Sequence, residues 1–428
     1  MPTQQTIKEI IDTELEEIKK KKIILREEVL VLKEHFDKKK IIAISGVRRS
    51  GKTYLMFQLI QELLETKFRN NVLYINFEDD RFTDQVSQMD LIYKTFLEYK
   101  NPKGRIYFFL DEIQNISCWE KWLTRMYEKN IKFFITGSNA SLLSSQFSKS
   151  LTGRHKLVEI FPLSFKQFIA FKNKELLNHS YSVPKIAETK NLLEKYLKSG
   201  GFPEVVYDNQ SDVLKDYFKD IITRDIILRR NIKFKESLKE IAVILMSGIA
   251  RLHSLYSLNK ILQARSINTI KNYLSFLEEA YLIFKISFFS FSLKRQLANP
   301  FKIYAIDPGL RNKVSLNFSR DIGWLYENVV AIELIRRLDR ENIFYWKGTK
   351  EQEVDFIIRE GLKIKRLIQV SYDINDEDTK KRETRSLVKA SKELSCANLL
   401  IITQDFEGEK TIKRKKIKFI PLWKWLLE

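Results

Sequence analysis

The 428-residue chain is predicted to be α/β and built around a parallel sheet, on the strength of three segments. Ile41-Ile-Ala-Ile-Ser45 is a short apolar run that reads as a buried strand. A loop with two glycines follows it, and then Leu55, Leu59, Ile60 and Leu63 recur at helical spacing. Ile106-Tyr-Phe-Phe-Leu-Asp111-Glu112 is apolar until it ends in two acids, as expected of a parallel strand buried on both faces whose carboxyl end meets a ligand. Lys132-Phe-Phe-Ile-Thr136 is a third such strand and leads into Gly137-Ser138-Asn139. Val72-Leu-Tyr-Ile-Asn-Phe77 reads as another core strand.

The loop after the first strand carries the chemistry. Gly46-Val47-Arg48-Arg49-Ser50-Gly51-Lys52-Thr53 has two glycines with four residues between them, then Lys and Thr. Glycine lets such a loop curl until several backbone N–H groups face one triphosphate at a helix N-terminus. Gly46, Val47, Arg48, Arg49, Ser50, Gly51, Lys52, Thr53 and the adjoining Tyr54 are therefore the candidate nucleotide contacts. Lys52 would reach the β/γ oxygens, and Thr53 would offer its hydroxyl to Mg²⁺. Asp111 would hold the same Mg²⁺ through water, and Glu112 would orient the attacking water. Ser138 and Asn139 are placed to touch the γ-phosphate or that water.

These segments, together with Leu151-Thr-Gly-Arg154, Phe161-Pro-Leu-Ser-Phe165, Gly200-Gly-Phe-Pro-Glu204, Tyr304-Ala-Ile-Asp307 and Glu353-Val-Asp355-Phe, resemble AAA-type ATPases common in archaea. In that group an ATPase domain is fused to a C-terminal domain of nuclease-like fold and uncertain role. The resemblance runs through nearly the whole chain and implies a P-loop sheet of the AAA/ASCE type, with ATP as the nucleotide. It makes Ser138 or Asn139 a sensor on the fourth core strand and Arg154 the candidate arginine acting on the γ-phosphate of a neighbouring subunit. Self-association, as a hexameric ring, is implied by the same resemblance.

Composition fits a large intracellular enzyme. At 44% hydrophobic and 30% charged, with 13 Gly and 8 Pro, the chain is globular throughout rather than disordered. Cys118 and Cys396 stand far apart without metal-type spacing, which favours a reducing compartment. The start of the chain lacks a signal-peptide pattern, and the longest apolar stretch, 241–250, is too short to span a bilayer, so a cytoplasmic location without membrane contact is expected.

The net charge of +20 is uneven. Arg229 to Lys302 holds 13 basic residues against 4 acids, a surplus suited to nucleic acid because affinity for it comes largely from counterion release. Within this stretch Leu255, Leu258 and Leu262 predict a short helix. Ile267, Ile270, Leu274, Leu277 and Tyr281 predict the buried face of a second. Arg265, Asn268, Lys271 and Asn272 would face away, in the layout of a helix-turn-helix whose second helix enters a major groove. Residues 282–289 and Phe291-Ser-Leu-Lys294-Arg295 look like two strands of a wing with a basic tip. DNA, double-stranded or branched, is thus the expected partner.

The last third carries a second chemical reading. Glu327 lies at the start of a helix, Glu353 and Asp355 share one face of a strand, and Gln369 and Ser371 share one face of the next. This resembles the PD-(D/E)XK nuclease core, in which paired carboxylates bind Mg²⁺ and a lysine activates water. Glu327, Glu353, Asp355 and Gln369 would then form a vestigial metal site. Gln369 replaces the expected acid and Ser371 the lysine, which argues against cleavage unless Lys347, Lys363 or Lys365 fills the gap.

The expected organisation is a charged helical lead-in over 1–39, an AAA-type ATPase core over 40–160, a helical lid over 161–230, a winged helix-turn-helix over 231–301 and a mixed α/β nuclease-like domain over 302–428. The lid contains Thr223-Arg224-Asp225, another match to the family. The function expected is Mg²⁺-dependent ATP hydrolysis coupled to movement of the later domains on DNA. Two alternatives stand beside it: a nucleotide-gated switch with slow hydrolysis, and a DNA-binding scaffold with a degenerate nuclease domain.

Overall fold

The computed structural model describes residues 2–137, 151, 153–178, 182–264, 266–315, 322–349, 352–374 and 376–428. It divides into two compact units, Met1–Phe161 and Pro162–Glu428.

The first unit begins with α1 (Gln4–Lys20). Thr3 caps this helix by accepting a hydrogen bond from Thr6 N, and Lys19 and Lys20 lie at the negative end of its dipole. Its Ile7, Ile10, Ile11, Leu15 and Ile18 recur at helical spacing and are buried in the same core as the sheet. The charged helical lead-in thus packs its apolar face into the core of the first unit, while Lys19 to Lys22 are exposed. After α2 (Glu28–Lys33) come β1 (Ile41–Gly46), α3 (Lys52–Leu64), β2 (Val72–Asn76), α4 (Ser87–Lys100), β3 (Ile106–Asp111), α5 (Trp119–Met126), β4 (Ile131–Thr136) and β5 (His155–Ile160). The five strands pair in the order β2-β3-β4-β1-β5, all parallel. β4 thus lies between the strand that launches the glycine loop and the strand that ends in Asp111, and the carboxyl ends of all three meet on one edge.

The second unit opens with α6 (Phe165–Lys172), α7 (Val183–Ser199), α8 (Pro203–Asp208) and α9 (Val213–Asp220), which runs into a π-helix over Ile221–Leu228. The Thr223-Arg224-Asp225 segment lies inside that π-helix, with Asp225 buried and Arg224 exposed and 3.5 Å from Asp220. Then follow α10 (Lys235–Ser247), β6 (Leu252–His253), α11 (Leu255–Leu262), α12 (Ile267–Glu279), β7 (Ile283–Phe288), α13 (Leu293–Ala298) and β8 (Phe301–Ala305). Ser254 and Ser266 cap α11 and α12. Ile270, Tyr273, Leu274 and Leu277 form the buried face of α12, whereas Ile267 is exposed.

The expected second wing strand is a helix. Ser292 accepts from Arg295 N to cap it, and Leu, Lys, Arg, Gln and Ala are all good helix formers, with no β-branched residue among them. The strand partner of β7 is instead β8, which pairs with it antiparallel from Ser287–Phe301 to Ile283–Ala305.

The chain ends with α14 (Pro308–Val314), α15 (Ile322–Arg337), β9 (Ile343–Lys347), β10 (Glu353–Glu360), β11 (Lys363–Ser371), α16 (Glu377–Glu393), β12 (Leu399–Thr403), β13 (Gly408–Ile412), β14 (Lys415–Pro421) and α17 (Leu422–Leu427). All strands among the described residues of this unit form one mixed sheet, β13-β14-β12-β11-β10-β9-β7-β8-β6, in which β7 runs parallel to β9. A boundary at 301/302 therefore cuts through a continuous sheet.

Three segments noted from the sequence meet in one knot. Gly201 N donates to Asp307 Oδ2 at 2.6 Å, Leu310 N donates to Asp307 Oδ1 at 2.9 Å, and Leu163 N donates to the Gly201 carbonyl at 2.6 Å. Gly200 has φ +78°, and a Cβ there would lie 2.0 Å from Asp307 Oδ1, so glycine is required by close approach as well as by backbone geometry. Burial pushes the Asp307 carboxyl up to about 6 against the pull of these backbone donors. The Gly200-Gly-Phe-Pro and Tyr304–Asp307 segments thus have a structural role, joining the turn after α7 to the end of β8.

The packing of α1 is directly testable. Ile10→Ala should destabilise the first unit by about 2–5 kcal/mol in chemical denaturation. An unchanged unfolding midpoint would show that α1 does not contribute to this core.

Candidate functional site

The glycine loop spans the end of β1 and the start of α3. Gly46 takes φ +149° with its Cα against the backbone of β5, where a Cβ would lie 2.0 Å from the Ile160 carbonyl oxygen. Arg49 is left-handed at φ +63°. Lys52 is buried and its ammonium donates to the Gly46 and Val47 carbonyls at 3.2 and 3.1 Å, which holds it inside the loop. Arg48 reaches Glu78 at 3.5 Å, and Tyr54 is half-exposed, with its ring 5.5 Å from that of Phe57. Ser50 Oγ is buried without a protein partner among the described residues.

Behind the loop, Asp111 is 1% exposed and accepts from three hydroxyl donors. Thr53 Oγ1 donates to its Oδ2 at 2.8 Å, Tyr74 OH donates to the same oxygen at 3.0 Å, and Thr136 Oγ1 donates to its Oδ1. Burial raises the Asp111 carboxyl, the adjacent Glu112 charge raises it further, and the three hydroxyls pull it back. Burial, followed by the charge of Asp111, keeps Tyr74 protonated well above its ordinary range. Glu112 is left-handed at φ +49°, a costly conformation for a non-glycine residue, and its N–H donates to Thr136 Oγ1 at 3.0 Å. Its Oε2 accepts from Gln114 Nε2.

This donor set fits a nucleoside triphosphate with Mg²⁺. A divalent cation would favour the charged form of a carboxylate that burial otherwise pushes toward protonation, Thr53 and Asp111 are already paired, and the Ser50 hydroxyl needs an acceptor.

Sequence reasoning missed Tyr74, Thr136 and Arg26. Thr136 is a buried polar residue ending an apolar strand, a signal that could have been read. Arg26 is buried and donates to the Phe161 carbonyl at 3.0 Å and to the Ser50 carbonyl, tying the segment before α2 to the loop. Ser138 and Asn139 lie outside the described residues.

Arg154 is exposed and stacks over Tyr127 at 5.0 Å. Its carbonyl accepts from Ile41 N at 2.9 Å, so it stands at the first residue of β1 while the glycine loop leaves from the last. The two are about 16 Å apart along the strand.

In the second unit, Asn268, Lys271 and Asn272 are exposed on α12, and Lys294 and Arg295 are exposed on α13. Arg265 lies outside the described residues. Lys302, counted with the basic segment, does not belong to its surface.

Lys302 is 1% exposed and stands at the centre of the expected vestigial metal site. Its ammonium is 2.8 Å from Glu327 Oε1, 2.6 Å from Glu353 Oε1 and 3.0 Å from Asp355 Oδ1. Tyr304 OH donates to Glu327 Oε1 at 2.7 Å, and Val370 N donates to Asp355 Oδ2 at 2.9 Å. Gln369 does not join them: its Oε1 accepts from Asp355 N at 3.3 Å. Ser371 turns to the Asp373 carbonyl. Among the described residues no group of three His, Cys, Asp or Glu side chains is arranged to hold a metal ion. The lysine that meets these carboxylates is Lys302 of β8 rather than Lys347, Lys363 or Lys365, and it binds them directly. Burial pushes Glu327 up, the charge of Asp355 adds to it, and Lys302 and Tyr304 oppose it, while the surrounding acids keep Lys302 charged against its own burial. Glu383 of α16 is raised by burial and by Asp355 in turn.

Three family models match in tandem: an AAA domain over residues 38–169, a domain of unknown function (DUF8612) over 190–321 and another (DUF4143) over 322–425. The uncharacterized protein MJ1544 of Methanocaldococcus jannaschii is 38% identical over 436 residues, covering 98% of this chain and 94% of that protein. The chain belongs to the family of MJ1544. An uncharacterized protein of Haemophilus influenzae is 32% identical over 349 residues, covering 78% of this chain and 83% of its own. Among solved structures, the Aeropyrum pernix ORC1 protein in complex with DNA aligns at 13% identity over 71% of this chain and 91% of that chain, with a TM-score of 0.30. AMPPCP-bound DnaA from Aquifex aeolicus aligns at 20% identity over 58% and 86%, with a TM-score of 0.25. Likeness of that degree carries no argument for this chain. The AAA match covers the loop, Asp111 and Glu112, so the first unit is an AAA-type nucleotide domain.

Removing the counter-charge from the acidic centre has a signed consequence. Lys302→Met should cost about 3–5 kcal/mol near neutral pH. The deficit should shrink as pH falls, because carboxylates with folded pKa values raised above their unfolded values favour folding only when protonated, and that contribution is lost as pH rises through the folded pKa. Equal stability of variant and wild type near neutral pH would contradict the role given to the ammonium.

Proposed function

We propose that this protein is a Mg²⁺-dependent ATPase that works on or with DNA and uses its nucleotide cycle to move the elements of its second unit. The observation that carries the ATPase reading is the bonding of Thr53 to Asp111, with Asp111 held in turn by Thr136, which also fixes the Glu112 backbone. Lys52 would neutralise the β/γ oxygens, Thr53 and Asp111 would hold Mg²⁺, and Mg²⁺ would spread the charge that develops on the phosphoryl oxygens. Glu112 would orient the attacking water. Ser138 and Asn139 would read the γ-phosphate.

Arg154 stands at the far end of β1 from its own loop, which suits action on a neighbour's nucleotide and hence assembly, with a hexameric ring as the simplest closed form. For the second unit, α10 to α12 with β6, β7 and β8 support a winged helix, with Asn268, Lys271, Asn272, Lys294 and Arg295 toward DNA. Residues 302–428 support a PD-(D/E)XK-like core in which Lys302 takes the place of a metal, so this domain would bind or brace rather than cut.

One contact favours the slower alternative, a nucleotide-gated switch. Gln114 holds one Glu112 carboxylate oxygen, and that hold competes with the alignment of water by Glu112.

Lys52→Ala should abolish nucleotide binding, and Glu112→Gln should retain it while slowing turnover by about 10²–10⁴-fold, read by binding and phosphate-release assays. Normal hydrolysis by Glu112→Gln would refute the assigned roles. Stimulation of wild-type turnover by duplex or branched DNA supports the DNA reading. Slow turnover indifferent to DNA, and faster in Gln114→Ala, supports the switch.

A further inference from the structure

A groove of about 540 Å³ lies between α16 and the turn joining β13 to β14. Lys381, Arg385, Lys389 and Lys392 line it from the helix and Lys413 lines it from the turn, over an apolar floor that includes Val388 and Ile412. The four helical cations recur at intervals of four, four and three residues, which puts them on one face. They run along about 16 Å of helix axis, the length of about five nucleotides of one duplex strand. None of the described residues lining the groove is acidic. Lys381 has an exposed partner in Glu377 at 3.3 Å, and Lys389 donates to the neutral oxygens of Thr349 and Gln352. No acid among the described residues pairs with Arg385, Lys392 or Lys413.

Two further features show positive charge kept here at a cost. The Lys380 and Lys410 ammonium groups both lie over the Phe406 ring, at 5.3 and 5.2 Å, and Lys380 holds its proton less tightly, first because of the Lys410 side chain. Like charges are thus crowded between α16 and β13. The turn itself places Lys413 at φ +49° and Arg414 at φ +65°, two left-handed positions in a row. Hairpin turns of this kind normally use Asn and Gly, and each other residue costs on the order of 1 kcal/mol. A solvated edge strand needs some lysine to repel other edges, but it needs neither a strained basic tip nor a facing helix with a matching cationic stripe.

We propose that the groove between α16 and the β13–β14 turn binds the phosphate backbone of double-stranded DNA, as a contact surface additional to the α12 and α13 faces. This rests on the reading of the protein as a DNA-associated ATPase. The stripe neutralises consecutive phosphates without reading bases, so it positions duplex rather than selecting sequence.

The test uses the full-length protein and a fluorescein-labelled duplex of mixed sequence, with anisotropy followed across a salt series. The groove variant combines Lys381→Gln, Arg385→Gln, Lys392→Gln and Lys413→Gln. The comparison variant combines Lys271→Gln, Lys294→Gln and Arg295→Gln. All seven side chains are at the surface, so both proteins should melt like wild type. The groove variant is expected to bind about tenfold or more weakly near physiological salt, and its log affinity against log salt should flatten by about 3.6. Wild-type affinity and slope in the groove variant, with loss only in the comparison variant, would overturn the groove and leave the DNA reading standing. No duplex binding by the wild type at low salt would remove both. Undiminished DNA binding with loss of binding to polyglutamate would assign the groove to an acidic protein and overturn the proposal.

Discussion

A single buried carboxylate organises the nucleotide unit. Asp111 has almost no contact with solvent, and an unpartnered charge in such a place would cost several kcal/mol. The structure surrounds it with three hydroxyls from three elements: Thr53 from α3, Tyr74 from β2 and Thr136 from β4. Each donor is delivered by the strand order, since β3 lies between β2 and β4, and β4 lies beside β1. The position of the glycine loop relative to the acids is thereby set by the sheet register, and the strained Glu112 backbone is held by the same Thr136 hydroxyl. The placement of the two acids and the packing of the core are one network here, so a change at Thr136 would disturb both.

The second unit uses buried charge differently. At Asp111 neutral donors stabilise one acid, whereas at Lys302 one ammonium stabilises three acids gathered from α15 and β10. A metal site of the nuclease type needs carboxylates that point at a cation and a shell that admits water. Here the cation is covalently part of β8, Tyr304 shares the Glu327 oxygen that Lys302 holds, and the backbone at Val370 takes up the second Asp355 oxygen. Removing such a lysine costs more than adding it gained, because the acids are left buried and uncompensated. The same sheet carries the β6–β8 strands and the C-terminal strands, so the elements that carry α12 and α13 share one sheet with the acidic centre.

Legibility in the sequence followed the distance over which the chemistry is encoded. The glycine loop with its strand and helix, and the strand that ends in Asp111-Glu112, are each contiguous segments, and their spacing carried the fold. Glu353 and Asp355 were assigned to one face because strand periodicity is local, and both do reach a common centre. Lys302 was overlooked because its contacts lie 25 and 53 residues away along the chain at Glu327 and Asp355. A lysine inside Phe301-Lys-Ile-Tyr-Ala305 reads by itself as a solvated position. Thr136 and Tyr74 escaped for a similar reason, since their roles depend on which strands are neighbours. The wing failed on local propensity: Phe291 to Arg295 looked extended after a strand, but Ser292 followed by good helix formers makes a short helix. In the lead-in the charges drew attention away from the isoleucines, and it is the isoleucines that place α1 in the core.

The most direct measurement of the central claim is the Mg²⁺ dependence of ATP affinity in the wild type and in Asp111→Asn, measured with a fluorescent nucleotide. The geometry predicts that Mg²⁺ tightens ATP binding in the wild type and that most of this gain disappears in Asp111→Asn, where the carboxylate charge is gone while the hydroxyl partners remain. An equal Mg²⁺ effect in both proteins would contradict the assignment of Asp111 and Thr53 as the metal-holding pair.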